Sequence, residues 1–200
     1  MDARTLLEIL HVAERLKDTP RHSWTSTGRR ESVAEHSWRL AVMAWFLRDR
    51  FPKADWEKVL VMAVLHDLGE AFTGDIPAFV KTDGDRKVEA GEMERWCDRL
   101  PPPYGEELRA LFREMEALDT LEAKIVKALD KLEVLVQHNE ADISTWLPLE
   151  YDLNMTYGNE YVAFSDDLMD IRREILRDTV DKIAREGNRN ERDKGADLNA

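Results

Sequence analysis

The chain has 200 residues but only one cysteine, Cys97. A single thiol excludes an internal disulfide framework and suits a reducing compartment, so a cytoplasmic location is expected. Its context, "ERWCDRL", offers no activating partner, and Cys97 reads as an ordinary helix residue. Long apolar runs are also lacking. None approaches the roughly 20 residues that span a bilayer, yet hydrophobic residues make up 43% of the chain, enough for a packed core. The opening "MDARTLLEILHVAERLKD" lacks the basic start, apolar centre and small-residue cleavage site of a secretion signal. Positive charge is scarce: 29 Lys and Arg against 41 Asp and Glu leave a formal net charge of −12. Such a chain is a poor match to a nucleic-acid polymer or an anionic membrane. It can still bind a small anion where a metal or local arginines overturn the field. Glycine-rich strand-to-helix turns are missing, which argues against Rossmann and P-loop nucleotide sites.

What remains is helical. Leu6, Leu7, Leu10, Ala13 and Leu16 recur at helical spacing within residues 2–17. The segment "DTPRHSWTSTGRR" reads as a loop. Ser32 and Glu35 have capping-box spacing and open a helix to about Asp49, with Leu40, Met43, Ala44 and Leu47 on its apolar stripe. Further helices are expected over about 55–70, from near Asp85 to the prolines at 101–103, and over 105–117. The next is "DTLEAKIVKALDKLEVLVQHNE", with Ile125, Leu129, Leu132 and Val136 buried. "WLPLEYDLNMTYGNEY" is irregular, and the last helix covers about 165–186. Strand alternation, internal repeats and linkers are not evident. The expectation is one all-α domain over residues 1–186 and a polar, disordered tail over 187–200.

One stretch interrupts this pattern. "VMAVLHDLGEAFTGDIP" begins as a core helix and then inserts His66, Asp67 and Glu70. Buried charge is costly unless paired or bound to metal. Glu70 is one helical turn from His66 and overlooks the same spot. His36, in "SVAEHSWRLAVMAWF", and Asp130, in "IVKALDKLEVLV", bring a further imidazole and carboxylate from apolar helices. That mixture suits Zn, Mn, Fe or Co better than Cu(I) or Ca.

The ordered set "ESVAEHSWRLAVMA", "HDLGEAFTGDIP" and "EAKIVKALDKLE" resembles the HD-domain phosphohydrolases, closest to their 5′-deoxynucleotidase branch. The resemblance implies a helical bundle with one divalent transition ion between core helices, held by His36, His66, Asp67 and Asp130. It implies hydrolysis of deoxyribonucleoside 5′-monophosphates to nucleoside and phosphate by a homodimer. It places the catalytic glutamate at Glu70, a sugar-facing aspartate at Asp75 and a phosphate-binding arginine at Arg21. The bacterial enzymes carry a tryptophan beside that arginine. Here the position is His22, and Trp24, two residues on, is the candidate to stack on a base. Trp38 and Trp45, seven apart, read as packing residues.

Two alternatives stand beside this reading. One is another HD-type nucleotide hydrolase, acting on a triphosphate or an alarmone. Two-metal and di-iron relatives need extra histidines before the last aspartate, and between His66 and Asp130 this chain has none. Alarmone hydrolases carry a Glu-Asp pair after HD; here Ala71 follows Glu70. The other is a non-catalytic nucleotide-binding module.

Overall fold

The structure is a computed structural model that describes residues 1–197, with side chains to residue 186. Its helices are α1 (Ala3–Glu14), α2 (Val33–Leu47), α3 (Trp56–Leu65), α4 (Glu70–Thr73), α5 (Asp83–Cys97), α6 (Tyr104–Ala117), α7 (Leu121–Glu140), α8 (Glu150–Thr156), α9 (Asn159–Val162) and α10 (Asp166–Asp197). The fold is all-α apart from one antiparallel pair, β1 (Pro20–Trp24) with β2 (Arg30–Ser32). No helix among the described residues is long and apolar enough to cross a membrane.

Local chemistry sets the helix starts that matter. Ser32 Oγ accepts from the Glu35 amide at 3.3 Å, and Glu35 Oε2 accepts from the Ser32 amide at 2.9 Å. This reciprocal cap fixes the entry of α2 and sets His36 in its first turns. Asp55 caps α3 and Thr120 caps α7 in the same manner, each through a backbone amide three residues on.

The core lies where α2, α3, α7 and α10 meet. Leu40, Val59, Met62, Ile125, Leu129, Leu132 and Leu168 are fully buried there. Each large aliphatic side chain so buried contributes on the order of 1.5–3 kcal/mol. A second cluster joins Leu16, Val33, Leu68, Met93, Trp96 and Cys97, and holds α5 against the turn after α3.

Several expectations are corrected. The loop after α1 contains the hairpin; its strands are short and polar, so no apolar alternation marked them. The helix expected over 55–70 breaks after Leu65: His66 to Gly69 form a tight turn before α4. Trp38 and Trp45 are not core residues; they are 65% and 50% exposed. The α10 backbone continues past residue 186. The expected tail over 187–200 falls where side chains, and for 198–200 the backbone too, lie outside the described residues.

The irregular segment before α10 is pinned by Gly158, at φ +78°. A Cβ there would meet the Lys131 Cβ at 2.9 Å. A side chain would oppose both the left-handed backbone and the approach to α7. Gly158→Ala is therefore expected to cost about 1–2 kcal/mol from the backbone alone, read as a lower denaturation midpoint.

Candidate active site

Three core elements deliver four donor groups to one point. His36 comes from α2, His66 and Asp67 from the turn ending α3, and Asp130 from the middle of α7. His36 Nε2 lies 3.3 Å from His66 Nε2, 3.8 Å from Asp67 Oδ2 and 3.4 Å from Asp130 Oδ1. His66 Nε2 is 3.1 Å from Asp67 Oδ2. The other nitrogen of each imidazole is engaged from behind. His36 Nδ1 pairs with Glu133, and His66 Nδ1 lies 3.0 Å from the Ala63 carbonyl. Partners of this kind orient a ring so that Nε2 presents its lone pair to a metal ion. Two Nε2 atoms facing each other beside the Asp67 carboxylate make a donor set that could hold a metal ion. Its mixed N and O character fits a divalent transition ion.

The flanking charges are arranged around that point. Glu133 Oε1 accepts from Arg39 Nε at 2.6 Å. Lys131 Nζ stands 2.9 Å from Asp130 Oδ2. Arg21, on β1, reaches Asp67 Oδ2 and Glu31 Oε2 at 3.3 Å each, and Asp75 Oδ1 at 3.9 Å. Asp75 Oδ2 also accepts the His22 amide at 3.3 Å. Glu70 is 4% exposed, and its Oε2 has no hydrogen-bond partner. Arg21, Asp67, Glu70, Asp75, Asp130 and Lys131 open onto one cavity of about 630 Å³, between the hairpin, α5, α7 and α8.

Arg21, His66, Asp67, Glu70, Asp75 and Asp130 thus share a cavity, with His36 buried directly behind. Trp24 does not join them. Its ring is covered by the Arg30 guanidinium at 4.5 Å, its carbonyl accepts from Gln137, and it does not line the cavity. The register of β1 is irregular between Pro20 and Trp24, and Arg21, His22 and Ser23 line the cavity where Trp24 does not. Glu31, Glu133 and Lys131 were not singled out from sequence for this site. Glu133 was accessible: it sits one helical turn from Asp130 in "DKLE". Glu150, Asn154 and Tyr157, from the irregular segment, also line the cavity, and nothing local announced them.

The electrostatics follow from crowding carboxylates out of water. Burial, then the charges of Asp67 and Asp75, push the Glu70 pKa up to about 10. Burial and Glu133 push Glu31 up to about 7. Burial and Arg21 disfavour the His36 imidazolium, but Asp130 and Glu133 outweigh them and raise it to about 9. Burial also opposes ionisation of Asp67 and Asp130. The histidines with Arg21, and Lys131 with the histidines, respectively prevail and hold both carboxyls low. Without a metal, protons therefore do part of the neutralising.

These shifts share one sign above about pH 5. Glu31, His36 and Glu70 have folded pKa values above their unfolded ones, so the folded chain holds protons that the unfolded chain has released. Their stabilisation is complete at lower pH and is lost as pH rises through about 7, 9 and 10. The metal-free protein is expected to melt at progressively lower temperature from about pH 6 to about pH 10. A bound divalent cation takes over the protons' role, so metal affinity rises with pH across this range. Calorimetry of stripped and Mn-loaded protein at several pH values checks both: the gap in Tm should widen with pH.

Comparison with known proteins agrees with this geometry. The family model for the HD domain matches residues 13–172. The human 5′-deoxynucleotidase HDDC2 is 36% identical over 143 residues, covering 69% of this chain and 69% of that protein. The Schizosaccharomyces pombe 5′-deoxynucleotidase hdd1 is 32% identical over 160 residues, covering 71% and 80%. A solved structure from Magnetospirillum magnetotacticum, described as a predicted metal-dependent phosphohydrolase, superposes with a TM-score of 0.77 at 27% identity, over 90% of this chain and 93% of that one. The chain belongs to the HD-domain family.

Proposed function

We propose that this chain is a metal-dependent phosphomonoesterase that hydrolyses deoxyribonucleoside 5′-monophosphates to deoxynucleoside and phosphate. The observation that carries the reading is the convergence of His36, His66, Asp67 and Asp130 on one point, with Glu70 and Arg21 beside it in one cavity. The names of the human and fission-yeast relatives support the substrate class.

His36, His66, Asp67 and Asp130 would hold one divalent transition ion, Co, Mn, Fe or Zn, which would lower the pKa of bound water and offset phosphate charge. Arg21 presents a planar fork to the phosphate oxygens. Its three carboxylate neighbours keep it ionised and aimed into the cavity. Glu70 Oε2, free of any other partner, takes the proton of the attacking water. Asp67 and Asp75 are what repel a charge there, after burial. Arg21 already pairs with both; a cation held at Asp67 would offset the remaining charge and leave the Glu70 carboxylate available as a base. As the new P–O bond forms, the bond to the 5′-oxygen breaks, and the proton on Glu70 passes to that oxygen. Asp75, next to Arg21, accepts a hydrogen bond from the sugar 3′-hydroxyl.

The working form is a homodimer in the cytoplasm. Trp38, Val42, Trp45 and Phe46 form an exposed apolar stripe at helical spacing on α2, which a second copy would cover. The buried free thiol of Cys97 suits a reducing compartment.

Two experiments test these statements. Metal-stripped protein reloaded with Mn or Co should release phosphate from deoxynucleoside monophosphates. Glu70→Gln should keep the metal and lose about 10²- to 10⁴-fold in kcat, whereas His66→Ala should lose metal retention. Hydrolysis of a triphosphate or an alarmone with no release from any monophosphate would replace this reading with another HD-type hydrolase; nucleotide binding without turnover would leave a binding module. For the dimer, light scattering should give twice the chain mass, and Phe46→Glu should shift the protein to monomer.

A further inference from the structure

The far wall of the cavity carries a polar group that the proposed hydrolysis does not use. Glu150, on α8, is 1% exposed. Its Oε2 is held by the Leu147 amide at 2.6 Å. Its Oε1 has no hydrogen bond of good geometry, although the residue lines the cavity. Two imidazoles flank that oxygen: His22 Nε2 at 3.0 Å and His138 Nε2 at 3.7 Å.

The tautomers of both rings follow from their other nitrogens. His22 Nδ1 faces Arg30 Nη1 at 3.5 Å, and a guanidinium can only donate. His138 Nδ1 faces Asn154 Nδ2, another donor, at 3.2 Å. Each ring therefore keeps its lone pair on Nδ1 and its hydrogen on Nε2 when neutral. Burial, ahead of any charge, lowers the His138 pKa and favours the neutral ring. The wall thus offers donor, acceptor, donor: imidazole N–H, carboxylate oxygen, imidazole N–H.

Its position follows on from the reacting end. Arg21 and His22 are neighbours on β1, and Asp75 touches both, through the Arg21 guanidinium and the His22 amide. With phosphate at Arg21 and sugar at Asp75, as in the function proposed above, the base would reach this wall. Phe79 meets the His22 ring edge-on at 5.5 Å and gives the wall an apolar flank. The cavity volume of about 630 Å³ lies within the range that holds a small ligand.

We propose that His22, Glu150 and His138 form the nucleobase subsite, and that it selects a base whose ring N–H lies between two carbonyl oxygens, as in uracil and thymine. The inference rests on the deoxynucleotidase reading above. The base N–H points to Glu150 Oε1, and its carbonyl oxygens point toward the two imidazole N–H groups. Cytosine places a ring lone pair against the carboxylate and an amino group against an imidazole donor. Polar groups left unpaired in a buried site are what make such discrimination strong.

The test uses full-length, Mn-loaded protein and compares kcat/KM for dUMP and dCMP, which share phosphate and sugar. Wild type should favour dUMP by about 10-fold or more, and Glu150→Gln should bring the ratio toward parity. The ratio cancels any general loss from folding. The wild-type ratio is itself a test should that variant fail to fold, and His138→Phe, which removes one donor, gives a second. Equal wild-type values, or a ratio that survives both substitutions, would overturn the subsite and leave the deoxynucleotidase reading standing. Phosphate release from no deoxynucleoside monophosphate would sink that reading, and this inference with it.

Discussion

Negative charge taken out of water is the constraint on which this molecule is built. Glu31, Asp67, Glu70, Asp130 and Glu133 crowd the junction of α2, α3, α7 and the hairpin. Carboxylates buried so close together are tolerated only with compensating cations and hydrogen bonds. Arg21, Arg39, Lys131 and the protonated His36 supply part of that compensation. Glu70 shows what remains unpaid: its carboxyl holds a proton to about pH 10 and leaves one oxygen without a partner. His36, His66 and Asp67 lie close enough together at this junction to hold a metal ion.

Rigid and adaptable parts of the fold divide the work. The donor atoms stand on α2, on the turn that ends α3 and on α7, and the shared core of fully buried aliphatic residues in these helices fixes their spacing. Metal geometry tolerates little displacement, so helices packed on one another are suited to hold it. The groups proposed to meet substrate come from the hairpin, the Gly74–Pro77 loop and α8, with His138 of α7 as the exception. Those are short elements that can differ between relatives without disturbing the core. The chain therefore combines a metal cradle set by packing with a substrate wall set by connections.

The readable portion of the sequence was that in which one side chain contradicted its local period. His36, His66 with Asp67, and Asp130 each break an apolar stripe, and Glu70 follows at helical spacing. Ser32 and Glu35 announced their cap, which is present. The hairpin was not legible because its strands are brief and rich in polar residues, leaving no alternation to detect. Trp24 was a natural candidate for base stacking, as an aromatic in a loop near Arg21. The fold decided otherwise: His22 lines the cavity, and Trp24 lies beneath Arg30. Trp38 and Trp45 read as packing residues, yet the core is filled by the opposite face of α2.

Sequence alone determined a helical chain of strong acidity, its main helices and the residue types of a metal-binding cluster. Periodicity and capping are local, and local rules suffice for them. Tertiary structure decided which groups share a site. His36 and Glu133 are 97 residues apart and touch. His22 and Glu150 come from a hairpin and a short helix far apart in the chain, and meet at 3.0 Å. No local pattern encodes such pairings, because they arise only when helix packing brings distant buried charges to one cavity and each must find a partner there.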